Sequence, residues 1–176
     1  MRRVFAVISL MLAPAALAHR LDEYLQATRL ALATDRIVLE MDLTPGVDVA
    51  PTIIAAIDTD RDGRIAAAEG SAYANRVLAE IVLEVDGKLR PVDLVSDEFP
   101  SLQDMSAGIG VIRIEARAPW PGSAGMHALR YRNDHRPDSS AYLVNALVPA
   151  NPAIEITGQH RDTIQREIRL EFDIGE

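Results

Sequence analysis

Within twelve consecutive residues this chain carries Asp58, Asp60, Asp62, Gly63, Arg64 and Glu69. The three aspartates alternate, so their carboxylates can turn toward one point. Glu69 follows seven residues after Asp62 and is long enough to reach back with both oxygens. A convergence of carboxylates with no base, nucleophile or thiol beside it suits a hard cation, and the ring size suits calcium. That ion takes six to eight oxygens in a flexible cage. Gly63 falls at the sixth place of the run, where the backbone must bend sharply and a Cβ would be in the way. Arg64, at the seventh, offers only its backbone carbonyl. Ala66, at the ninth, has no ligand oxygen, so a water would complete that position. Ile65 is apolar and would hold the loop against its surroundings.

Such a loop needs rigid elements on both sides. Before it, Val49, Ile53, Ile54 and Ile57 recur at helical spacing, with Pro51 in the first turn, where a missing N–H costs little. Asp48 is placed to cap that helix. After the loop, a helix is expected from about Ala67 to about Leu78, with Tyr73, Val77, Leu78 and Ile81 on its apolar side. Gly70 inside it is unfavourable by about 1 kcal/mol against alanine.

The rest of the chain has period two. Leu30 and Leu32 face Val38, or its neighbours Ile37 and Leu39, across a turn at Thr34-Asp35-Arg36. Leu83 and Val85 alternate before Asp86-Gly87, a two-residue hairpin turn, and Leu89 to Val95 forms the return. Phe99 to Gly110 reads as a loop. Ile112 to Ala118, Leu129 to Tyr131, Tyr142 to Val148, Ile154 to Thr157 and Ile168 to Ile174 add further short strands. Trp120, between two prolines in the Pro119 to Gly125 turn, suits packing. Eight or nine short strands with one helical excursion predict an antiparallel β-sandwich of Ig-like kind, with a helix-loop-helix insertion at about 48–81.

Residues 1–18 read as a secretory signal peptide: Arg2 and Arg3, an apolar run from Val4 to Leu12, and Ala16-Leu17-Ala18 as the cleavage signal. Residues 19–176 would then be one exported domain, periplasmic or secreted. No later stretch is long and apolar enough to span a bilayer. Loss of the two arginines takes the formal charge from −8 to −10, which argues against nucleic acid. Cysteine is absent, so the core, with a metal, must supply the stability that disulfides give other exported proteins.

Cleavage would expose His19, whose α-amine and imidazole could chelate copper or nickel. His127, His135 or His160 could add a third nitrogen. His127 shares strand parity with Leu129 and Tyr131 and so faces the core, whereas His135 and His160 sit among polar residues and are expected in solvent. Arg130, Arg132, His135 and Arg136 form a local basic cluster that could meet an anion or a partner's carboxylates. No G-x-S-x-G, H-E-x-x-H, cysteine nucleophile or phosphate-cradling loop is present, so the chain does not read as an enzyme.

Asp58 to Glu69 with its flanking helices resembles the EF-hand family. The resemblance covers about a fifth of the chain and implies Asp58, Asp60, Asp62, Arg64 and Glu69 as calcium ligands. It departs from the family in Ala66 and in the lack of a second loop to pair with Ile65. His19 to Gln26, Leu43 to Val47 and Tyr142 to Pro149 look like bacterial exported proteins carrying one EF-hand, a likeness that implies no activity. The expectation is an exported protein holding Ca²⁺ for structure. The alternatives are transition-metal handling through His19 and an interaction module for an envelope or membrane-protein partner.

Overall fold

The computed structural model describes residues 22–175. Residues 1–18, read from the sequence as a signal peptide, and His19 lie outside those residues. Two five-stranded sheets pack face to face as a β-sandwich. In chain order the strands are β1 (Tyr24–Leu32), β2 (Arg36–Pro45), β3 (Ile81–Val85), β4 (Lys88–Leu89), β5 (Asp93–Glu98), β6 (Ile112–Pro119), β7 (Gly125–Asn133), β8 (Ser140–Ala146), β9 (Ile154–Arg161) and β10 (Glu167–Ile174). The helices are α1 (Ala50–Ile57), α2 (Ala67–Ala79) and α3 (Leu102–Ser106). Sheet one runs β5-β6-β2-β1-β8 and sheet two β4-β3-β7-β10-β9. No helix among the described residues is long and apolar enough to cross a membrane.

The alternation read from the sequence decides which side chains enter the core. In β2, Ile37, Leu39, Met41 and Leu43 are buried and Val38 is only half-buried, which settles the register of the first hairpin. Leu30 lies opposite Leu39 and Leu32 opposite Ile37. β6 and β10 alternate in the same way. Pairing is antiparallel except between β1 and β8, which run parallel, so sheet one is mixed.

Three local readings need correction. The return after Asp86-Gly87 is only two residues long. Pro91, which has no N–H to donate, follows, and the chain then crosses to sheet one as β5. The stretch from Phe99 to Gly110 contains α3, capped by the Ser101 hydroxyl, which accepts from the Asp104 N–H at 3.1 Å. Asp48 does not cap α1. The N-cap is Val49, without a side-chain bond, and the turn is held instead by the Gly46 carbonyl, which accepts from the Val49 and Ala50 N–H groups.

The helix-loop-helix is a crossover, leaving β2 in sheet one and returning as β3 in sheet two. Ile53, Ile57, Tyr73, Ala74, Val77 and Leu78 join the main core, with Ile65 of the loop packed against it. Gly70 is buried where α2 meets the Phe99 ring. A Cβ there would sit 2.9 Å from two ring carbons and 3.2 Å from an Asp97 oxygen. The missing side chain that weakens the helix in isolation is what lets it approach β5. Ser71 secures the same contact by donating to Asp97 at 2.8 Å.

Candidate metal centre

The turn from α1 to α2 gathers carboxylates because backbone N–H groups hold them. Asp58 ends α1, its own N–H bonded to the Ile54 carbonyl at 2.8 Å. Its two oxygens accept from the N–H groups of Asp62 and Gly63, each at 3.1 Å. Arg61 and Gly63 both adopt positive φ, 62° and 81°. This conformation, and not crowding, is the reason for glycine: a Cβ on Gly63 would have nothing within 4 Å. The sequence-based steric argument therefore gives way to a conformational one.

Glu69 reaches back across the loop from the first turn of α2. Its Oε1 accepts from the Thr59 N–H at 2.7 Å and the Thr59 hydroxyl at 2.9 Å, and its Oε2 from the Ala66 N–H at 3.1 Å. The last of these is one half of a capping box. Ala66 has no side-chain acceptor for the other half, and the Glu69 N–H bonds to the Ala66 carbonyl instead. The Thr59 hydroxyl first, then the N–H groups of Ala66 and Thr59, hold the Glu69 carboxyl below its usual range.

One oxygen each from Asp58, Asp60 and Glu69 lies within 4.8 Å of the others. Asp58 is buried, Glu69 half-buried and Asp60 exposed. Such a convergence could hold a metal ion. No other trio of His, Asp or Glu converges in this way among the described residues. Asp62 is not part of it. Its Oδ1 accepts from the Arg64 N–H at 2.8 Å, a short turn that draws its carboxylate along the rim. Arg64 is exposed, as is Arg61. The structure thus brings together three of the five residues named from the sequence.

Of the described histidines, only His135 departs from expectation. His160 is exposed, as read. His127 faces inward: it stacks edge-on against Trp120, with ring centres 5.0 Å apart, and bonds Asp86 at 2.9 Å and the Ser123 carbonyl at 2.8 Å. Trp120 is itself buried, consistent with packing. His135 is not in solvent. It is 4% exposed, wedged between α2 and the sandwich. Two members of the basic cluster are already paired. Arg130 pairs with Glu84 and Glu167, and Arg132 with Asp134.

Sequence reading missed a polar seam between the layers. Gln26 and Thr28 of β1 occupy inward positions and are 1% and 2% exposed. Gln26 donates to the His135 carbonyl and the Ser140 hydroxyl, and accepts from Asn133. Thr28 meets the Tyr131 hydroxyl at 2.9 Å. The available signal was two polar residues at core-parity positions in an otherwise apolar alternation. No protein-family model matches the chain, and comparison with curated proteins and with solved structures finds no match.

Proposed function

We propose that this protein is an exported calcium-binding protein, in which one EF-hand-like loop holds a single Ca²⁺ and so fixes the crossover on the sandwich. The observation that carries the reading is the convergence of Asp58, Asp60 and Glu69 within 4.8 Å, at the first, third and twelfth places of a loop between two helices. The N–H groups that hold Asp58 and Glu69 support it further, because they aim the carboxylates before any ion arrives. Asp58, Asp60 and Glu69 would bind directly. Asp62 would join by turning from the Arg64 N–H, and Arg64 would give its carbonyl. Bound calcium would supply charge neutralisation and cross-linking, with no redox or acid–base chemistry.

The role is structural. The loop lies between two elements already packed into the core, so the ion ties α1 to α2 and opens no groove. Arg61 and Arg64 dilute the local negative charge. The affinity should therefore be that of extracellular modules, about 10⁻⁴–10⁻³ M. Binding to the folded loop alone raises stability by RT ln(1 + [Ca²⁺]/Kd), about 2.7 kcal/mol at a hundredfold excess over Kd.

The test is a thermal melt with and without millimolar calcium. The wild type should melt higher with calcium, Asp58→Ala and Glu69→Gln should lose most of that shift, and magnesium should substitute poorly. A wild type indifferent to calcium, or a Glu69→Gln protein shifted as far as wild type, refutes the reading. Export is tested separately by mass spectrometry of the envelope fraction, where the chain should begin at His19. Recovery of intact Met1 protein in the membrane would count against it.

A further inference from the structure

The imidazole of His135 closes the gap between α2 and β1. Its Nδ1 lies 2.9 Å from a Glu80 carboxylate oxygen, at the C-cap of α2. Its Nε2 lies 3.3 Å from the Tyr73 hydroxyl, in the middle of α2. That hydroxyl lies 3.0 Å from the Tyr24 hydroxyl of β1. Both tyrosine rings meet the imidazole edge-on, with centres 6.1 and 5.9 Å away. The His135 backbone is fixed as well. Its N–H donates to Asn133, and its carbonyl accepts from Gln26 and Tyr142. The ring cannot swing into solvent without breaking this set.

The protons of the cluster can be counted. A carboxylate only accepts, so Nδ1 carries a hydrogen and donates it to Glu80. In the neutral ring Nε2 accepts from the Tyr73 hydroxyl, which in turn accepts from Tyr24. Two contacts then hold two hydrogens, and every group is satisfied. Protonation places a third hydrogen on Nε2, while only the same two contacts remain. One buried donor must be left without an acceptor, an arrangement that folded proteins avoid.

The surrounding charges divide. On α2, Glu80 favours the imidazolium and Arg76 opposes it. On the loop after β7, Arg136 opposes it. Tyr24 of β1 and Tyr73 are held neutral, burial raising both above the ordinary phenol range. Asp134, next in sequence, is engaged by Arg132 and Arg166. The Tyr142 hydroxyl of β8 donates to the His135 carbonyl. Burial dominates and keeps His135 below the ordinary imidazole range.

We infer that His135 is a proton-operated latch for α2. Neutral, it ties the helix to β1; protonated, it releases the helix. Glu69 lies one turn before Tyr73 on the same helix, so release also withdraws a ligand from the loop. The link to calcium rests on the function proposed above, while the latch itself does not. An undocked His135 would titrate near 6.5, and the docked one lower, so docking binds fewer protons. Docking is therefore complete above about pH 6.5 and weakens as the pH falls below it. By reciprocity, calcium should push the His135 titration lower still.

The experiment follows the imidazole signals and the amide-exchange protection factors of α2 by NMR, from about pH 7.5 to about pH 5, with and without calcium. His135→Gln, which keeps a donor and an acceptor but cannot titrate, is the comparison. Protection of α2 should fall about tenfold in the wild type and stay level in His135→Gln. The calcium Kd should rise about fivefold more in the wild type than in the variant over the same range. If His135→Gln does not fold, the wild-type imidazole titration decides alone, with Glu80→Gln expected to lower it further. Protection that ignores pH in the wild type overturns the latch, as does a His135 that titrates at or above the ordinary range. Equal pH dependence of calcium binding in both proteins overturns the coupling. Protection that falls with pH in a protein that binds no calcium supports the latch and removes the calcium reading instead.

Discussion

Gly70→Ala separates helix propensity from packing, because the two predict opposite signs. In an isolated helix the change should stabilise by about 1 kcal/mol. In this fold the new methyl would stand 2.9 Å from two carbons of the Phe99 ring. Carbon atoms rest about 3.5–4.0 Å apart, so the ring or the helix must give way by about 0.6 Å or more. The ring is not free to slide. It packs edge-on against Tyr73, with centres 6.2 Å apart, and Tyr73 is held by Tyr24 and His135. Overpacking of this kind costs about 1–3 kcal/mol. Set against the propensity gain, the net expectation is a loss of about 1 kcal/mol, or about 2–4 °C in Tm for a domain of this size. Calorimetry on Gly70→Ala, Phe99→Ala and the double variant measures it. With the ring removed, Gly70→Ala should become stabilising by about 1 kcal/mol, the non-additivity expected of residues in contact. If Gly70→Ala stabilises equally in both backgrounds, the close seating of α2 on Phe99 is wrong.

Other outcomes follow from the same geometry. Gly63→Ala meets no neighbour, so its effect should come from positive φ alone; a cost of about 1–2 kcal/mol should weaken calcium binding about tenfold in a titration, and unchanged affinity would contradict the loop conformation. His127 is held above the ordinary imidazole range, chiefly by the Ser123 carbonyl and further by Asp86. Its contribution to stability is thus complete below about pH 6.5 and is lost as pH rises through the folded value, the reverse of His135. Asp86→Asn should lower the His127 titration measured by NMR while leaving that of His135 unmoved. A His127 titration that ignores Asp86→Asn would remove the carboxylate from the account.

Much of the fold was legible because strand and helix periods are local properties. The hairpin at Thr34-Asp35-Arg36 and the two helices around residues 58–66 follow from side-chain period and turn chemistry, whereas the inward set of β2, left open between Val38 and its neighbours, was settled by burial. The acidic loop was legible for the same reason as the hairpin and helices, since its carboxylates lie within twelve residues and their spacing brings Asp58, Asp60 and Glu69 together. Even there, tertiary detail decided that Asp62 turns to the Arg64 N–H and that Gly63 is required by φ.

His135 marks the limit of local reading. Its neighbours in sequence, Asn133, Asp134 and Arg136, are polar, and polarity along the chain suggests solvent. Its neighbours in space are Tyr24, Tyr73 and Glu80, which lie 111, 62 and 55 residues away. Gln26 and Thr28 differ in the same way: polar by type, they are buried because Asn133, Ser140 and Tyr131 arrive from other strands to satisfy them. A buried polar group is stable only when its hydrogen-bonding atoms are all met, and those atoms come from elements that only the folded chain brings together. The sequence by itself determined where most of the strands, the two helices around the acidic loop and the loop itself lie. The tertiary structure decided which polar residues could leave water, because that depends on neighbours distant along the chain.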